Sequence, residues 1–239
     1  MDRSRILFQY HPTVLKEHPA IQASLLFATG LRNGPTPLAL RQAYQAEQAA
    51  VNARLPTSLG DLPSLAAWRS AFRRFGVNPT QVRCAPEALL RRLSKAGDIP
   101  SINTLVDIGN LVSIRYALPV AVFDWRAITG TVTVHVANGT ERFTELGSDA
   151  IIHPEPGEVV FSDETGMVLA RRWCWRQSAE SAAQPDTTTA LIVIEAQHAE
   201  GQQDVTNALA DLTTLIAPYI GGQSTTRHLN AQTSTFAYS

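Results

Sequence analysis

The sequence predicts an α+β fold. Helix-forming segments fill the first half of the chain, turn-bounded strand runs fill the second, and no βαβ alternation or internal repeat links them. The expected architecture is a helix-rich N-terminal half packed with a largely antiparallel β-sheet in the C-terminal half, closed by one C-terminal helix. With 239 residues, 44% of them hydrophobic and 17% charged, the chain can bury a sizeable core, which excludes wholesale disorder.

Taken in order, residues 5–10 and 22–28 are strand runs, and Pro35 and Pro37 punctuate the loop after them. Residues 38–54, rich in Ala, Gln, Glu and Leu, form a helix. Asp61 as N-cap and Pro63 in the first turn open the next helix. Its Leu65, Trp68, Phe72 and Phe75 recur at spacings of three and four, one buried face, and Gly76 ends it. A short helix over 86–96 stops at Gly97. A fourth spans 101–116, capped by Ser101 and stopped by Pro119.

From Val120 the pattern changes to strands at 120–123, 131–136, 159–161, 168–175 and 190–196, separated by Gly and Pro turns. Asn138-Gly139 is a hairpin signal. Asp204 caps a closing helix over 205–217. Residues 1–222 thus form one domain, and the Ser/Thr/Gln-rich residues 223–239 a flexible C-terminal tail.

Net charge is −1, so any nucleic-acid contact needs a local basic patch. No apolar run approaches the roughly 20 residues that span a bilayer. Residues 1–5 lead straight into a strand without a leader pattern, so the expected location is cytoplasmic. Cys84 and Cys174 form no CxxC pair and read as reduced thiols. The histidines, at 11, 18, 135, 153, 198 and 228, lack metal-ligand spacing. Neither a metal nor a cofactor is expected. Nucleophile-elbow, phosphate-loop and dinucleotide signatures are absent.

Four local features carry chemistry. Asn103, Asp107 and Asn110 fall at i, i+4 and i+7 on an otherwise apolar helix. They are either a polar stripe that fixes a loop or part of a site. Arg171-Arg172-Trp173-Cys174-Trp175-Arg176 reads as a strand, with Arg172, Cys174 and Arg176 on one face and Arg171, Trp173 and Trp175 on the other. Interleaved Arg and Trp suit phosphate pairing and base stacking, or equally a tryptophan core with surface arginines. Glu195 ends an apolar run, either at a strand end facing water or in a pocket where burial raises its pKa. Arg69, Arg73, Arg74, Arg83, Arg91, Arg92 and Lys95, against only Glu87 and Asp98, are candidates for a phosphate-facing patch or a soluble helical face.

The segment Ser-Ile-Asn-Thr-Leu-Val-Asp-Ile-Gly-Asn at 101–110, followed by Pro-Val-Ala-Val-Phe-Asp at 119–124, resembles a family signature. The family is the B3/B4 editing domain of the phenylalanyl-tRNA synthetase β subunit. Its pattern is Ile-Asn-x-Val-Val-Asp-x-Thr-Asn, then Pro-x-His-Ala-Phe-Asp. Similarity continues in the same order through Gly130, 141–147, His153 to Val160 and Asp163, covering 102–196. The earlier Ala67-Trp68-Arg69 to Gly76 segment and the 171–177 segment resemble free-standing members.

The resemblance implies a trans-editing hydrolase that deacylates mischarged aminoacyl-tRNA, with the aminoacylated 3′ end as partner. It implies catalytic roles for Asn110 and Glu195. Substrate binding would fall to Asn103, Asp107, Gly109, Ala121, Arg171, Arg172, Trp173, Trp175 and Arg176. The chain departs from the family at three pocket positions: Gly109 replaces Thr, Ala121 replaces His, and Trp175 falls near a family Gly. Two other readings stand beside it: a non-catalytic RNA-binding module of the same fold, and a hydrolase of a small aminoacyl ester or amide.

Overall fold

The computed structural model describes residues 5–238; residues 1–4 of the N-terminal segment and residue 239 of the tail lie outside the described residues. The chain runs β1 (Arg5–Tyr10), α1 (Pro12–Glu17), β2 (Gln22–Thr29), α2 (Leu38–Arg54), α3 (Pro63–Arg74), α4 (Ala85–Ala96) and α5 (Thr104–Tyr116). There follow β3 (Val120–Asp124), β4 (Val132–Val136), β5 (Phe143–Thr144), β6 (Ile151–Ile152), β7 (Val159–Ser162), β8 (Val168–Arg171), β9 (Arg176–Gln177) and β10 (Thr189–Ala196). Helix α6 (Gly201–Tyr219) and strands β11 (Gln223–Asn230) and β12 (Thr235–Tyr238) complete it.

The fold is α+β with two main sheets. One has the order β11-β2-β10-β3 and is antiparallel throughout. The other has the order β12-β1-β4-β7-β8-β9 and is antiparallel except for the β1–β4 pair. Strand β10 is buried from Ala190 to Ala196, which explains why it reads as a continuous apolar run. Phe123 of β3, Phe161 of β7 and Phe8 of β1 stack in sequence at 5.8 Å between centroids and join the two sheets. Helices α3, α5 and α6 pack on the four-stranded sheet.

Several expectations are corrected. Residues 223–238 are not a flexible tail: β11 lies along β2 in register from Gln223↔Thr29 to Asn230↔Gln22, and β12 pairs with β1. Threonines suit the exposed edge, and Leu229 and Phe236 anchor it in the core. Gly221 and Gly222 turn the chain from α6 into β11 with positive φ; a Cβ on Gly222 would lie 2.5 Å from the Thr29 carbonyl oxygen. Truncation after Gly222 is expected to lower the thermal midpoint and promote aggregation, because it unpairs one edge of each sheet. Unchanged melting and a monomeric elution profile would contradict this.

Helix α5 is capped by Asn103 rather than Ser101, and α3 by Leu62 rather than Asp61. Helix α6 begins after Glu200; Asp204 instead pairs with His198. Asn138-Gly139 turns the chain, but Glu141 folds back onto the Asn138 and Gly139 amides, and β4 pairs with β1 and β7 instead of forming the hairpin. The strand expected over 168–175 ends at Arg171. Arg172 and Trp173 adopt φ of 44° and 64° and reverse the chain, so that Arg171 pairs with Arg176. The alternating faces expected for 171–176 therefore do not exist.

Candidate functional site

Glu195 lies near the end of β10, directly beneath the turn at 172–175. Its Oε1 accepts hydrogen bonds from the Tyr10 hydroxyl (2.6 Å) and the Trp173 indole N–H (2.9 Å). Oε2 accepts none among the described residues. The side chain is 2% exposed. Burial pushes its pKa up to about 7, against the two hydrogen bonds that favour the charged form. Burial and the neighbouring carboxylate together raise the Tyr10 hydroxyl well above its ordinary value.

The carboxylate lines a cavity of about 60 Å³. Val120 and Ala121 of β3, Phe161 of β7, Ala170 of β8 and the 173–177 segment make its walls, and Ala85 at the start of α4 also contributes. Trp173 is fully buried and stands edge-on to His18 (4.8 Å) and Trp68 (5.4 Å). Trp175 is half-buried, with the Arg172 and Arg176 guanidiniums each 4.6 Å from its ring centroid. Trp175 and Arg176 also line an adjoining open groove of about 440 Å³, together with Arg83, Arg91, Arg92 and Lys95.

The structure thus brings Ala121, Trp173, Trp175, Arg176 and Glu195 together. Other candidates sit elsewhere. Asn103 caps α5 by accepting from the Val106 amide and donates to the Ala183 carbonyl. Asp107 accepts from the Thr36 and Ser101 hydroxyls and the Ile102 amide, pinning the loop before α5. Asn110 is half-buried beside Tyr44 of α2 and is not among the residues lining the Glu195 cavity.

Gly109 faces β3: a Cβ there would meet Val122 Cγ2 at 2.9 Å. Restoring the family residue with Gly109→Thr is expected to overpack this contact and destabilise by roughly 2 kcal/mol. Denaturant midpoints measure it, and a threonine variant as stable as the parent would refute so close an approach.

Arg171 makes a two-pronged ion pair with Glu158, Nε to Oε2 at 3.0 Å and a terminal nitrogen to Oε1 at 2.6 Å; Arg172 adds a third bond to Oε1. Both arginines are therefore engaged inside the protein. Arg176 is exposed and pairs with Glu145. Arg69 of α3, Arg91 of α4 and Arg83 in the loop before α4 converge on Glu87, whose side chain is fully buried. Arg74 reaches the Glu17 carbonyl and Arg92 the Asp98 carbonyl, while Arg73 is exposed on α3. Of the cations in the Arg-rich stretch singled out in the sequence, Arg83, Arg91, Arg92 and Lys95 line the groove, and Arg69, Arg73 and Arg74 do not.

Sequence reasoning missed Tyr10, Glu158 and Ala85. Tyr10 reaches Glu195 from 185 positions away, and no local pattern announces such a contact. Among the described residues no cluster of three or more His, Cys, Asp or Glu is placed to hold a metal, and no helix is long and apolar enough to cross a membrane. Cys84 is buried, Cys174 is half-buried, and both are free thiols.

An α+β scaffold with a buried carboxylate pocket beside the β3 strand defines the class. Residues 67–221 match the B3/4 domain, and the chain belongs to that family. Among curated relatives, the phenylalanine–tRNA ligase beta subunit of Shewanella oneidensis is 29% identical over 94 residues, 39% of this chain and 12% of that one. The corresponding subunit of Fusobacterium nucleatum is 33% identical over 89 residues, 37% of this chain and 11% of that one. The matches therefore span a small part of those subunits. Among solved structures, an N-terminal fragment of the phenylalanyl-tRNA synthetase beta-subunit from Pyrococcus horikoshii shares the fold. Its TM-score is 0.52 at 13% identity, covering 93% of this chain and 51% of that one.

Proposed function

We propose that this protein hydrolyses the ester bond of aminoacylated tRNA, with the aminoacyl group in the Glu195 cavity and the RNA 3′ end along the adjoining basic groove. The observation that carries this reading is the buried Glu195 carboxylate: Oε1 is held by two protein donors, and Oε2 has none among the described residues. Oε2 is not one of the fully solvent-excluded polar atoms without a partner, so it opens on the cavity, where a substrate α-ammonium meets it with both charge and hydrogen bond. Lys95 and Arg92 then offer cations to phosphates along the groove, joined by whatever donors Arg83, Arg91 and Arg176 keep beyond their pairs with Glu87 and Glu145. Membership of the B3/4 domain family and the likeness to synthetase beta subunits support a tRNA-related role.

Hydrolysis needs no strong nucleophile, because an aminoacyl ester is already activated. Water adds to the acyl carbon, the bond to the ribose oxygen breaks, and the proton released by the water ends on that ribose oxygen. The neighbouring ribose hydroxyl can relay it. Holding the ammonium fixes the acyl carbon in place, and positioning of this kind is worth several kcal/mol.

Ala121, where the family pattern carries histidine, favours a second reading: a binding module that retains the pocket without turnover. A deacylation assay with a panel of correctly and wrongly charged tRNAs separates the two. Hydrolysis of a mischarged species that falls steeply with salt supports the enzyme. RNA binding with no turnover across the panel establishes the module. Turnover insensitive to salt points to a small ester or amide substrate.

A further inference from the structure

We infer that the Glu195 cavity is a selectivity filter for the smallest amino acids, of the glycine, alanine and serine class, and that it excludes aromatic side chains. The inference rests on the reading above for its substrate and on the cavity walls for its content. The space amounts to about 60 Å³, or roughly four water-sized positions. An ammonium, an α-carbon and a methyl or hydroxymethyl group fill it. A phenol ring with its hydroxyl adds about seven heavy atoms, more than roughly four water-sized positions can take.

The walls are braced against enlargement. Trp173 is fully buried, edge-on to His18 and Trp68, and hydrogen-bonded through its indole N–H to Glu195, so moving it would break the carboxylate's own contact. Trp175 is held on the other side by the guanidiniums of Arg172 and Arg176. Arg172 is tied in turn to buried Glu158. Ala121 sits opposite Val193 on β3, two residues before Glu195 on β10, and adds no polar group. The cavity's one carboxylate is Glu195, so a small neutral side chain beside the ammonium matches the lining.

The test uses the full chain and non-hydrolysable 3′-aminoacylamino-adenosine amides bearing alanine, serine or tyrosine, titrated by calorimetry. Matching deacylation assays use tRNAs charged with the same three amino acids. Alanyl and seryl amides are expected to bind at least about 10-fold tighter than the tyrosyl amide. Trp175→Ala is expected to shift the alanyl-to-tyrosyl ratio toward tyrosine by a similar factor. A tyrosyl amide that binds as tightly as the alanyl one overturns the filter, as does failure of all three to bind. If the small amides bind preferentially but no charged tRNA is hydrolysed, the filter stands and the hydrolase reading falls. If charged tRNAs are hydrolysed without regard to side-chain size, the hydrolase reading stands and the filter falls.

Discussion

Glu195→Gln is expected to make the protein more stable above neutral pH and about 10- to 100-fold slower in deacylation. The amide keeps an oxygen that accepts from Tyr10 and Trp173, so both hydrogen bonds survive. What disappears is the charge. In the wild type the carboxyl titrates near 7 when folded, against an ordinary value of 4.5. Its folded pKa is raised, so the stability contributed by the neutral form is fully present below about 4.5 and is lost as pH rises through about 7. The difference amounts to about 3 kcal/mol.

Wild type and variant should therefore melt alike near pH 4.5 and diverge toward pH 8, with the variant higher. The loss of rate follows from a charge-assisted contact to the substrate ammonium, worth about 1.5–3 kcal/mol. Parallel melting curves across this range would show that the carboxyl is not buried as described. An unchanged kcat/KM would remove Glu195 from the chemistry. Opposite movement of stability and activity at a single position is what a functional buried charge predicts.

Glu158→Leu is expected to destabilise by about 3–5 kcal/mol. Glu158 and Arg171 are both nearly excluded from solvent, at 4% and 8% side-chain exposure. Removing the carboxylate leaves the Arg171 guanidinium charged among apolar neighbours, with Phe143 5.7 Å away. Arg172, at 23% exposure, can turn to water and recover part of its solvation. The double variant Glu158→Leu/Arg171→Met should regain most of the loss, because an apolar pair replaces an ionic one without leaving an orphan. Urea unfolding of the single and double variants measures both quantities. A single-variant loss under about 1 kcal/mol, the range of exposed pairs, would mean that water reaches this site.

These arginines also show where sequence reading stops. The bounds of α2 and the core of β10 follow from local composition and apolar continuity, and both appear in the structure where the sequence places them. The partners of Arg171 and Arg172 do not follow from any local pattern. Glu158 is brought to them by the β7–β8 pairing, which depends on two strands folding together. For the same reason a cationic, aromatic run looked like a strand with a phosphate-binding face, whereas the chain reverses at Arg172 and Trp173. Local pattern left Glu195 open between a wet strand end and a pocket; the deciding contact comes from Tyr10, on the other sheet. In Asn103 and Asp107 the polar stripe was legible, and its task is to hold the loop before α5.

The pairing of β12 with β1 and of β11 with β2 sets the order in which the molecule can be finished. On a ribosome the first strands emerge long before their partners, with edge amides and carbonyls unmatched while more than two hundred residues are added. The last strand of each main sheet can dock only after α6 has cleared the exit tunnel. The rate of folding is thus governed by closure of the longest loops in the chain, and the nascent protein is exposed to edge-to-edge association for most of its synthesis.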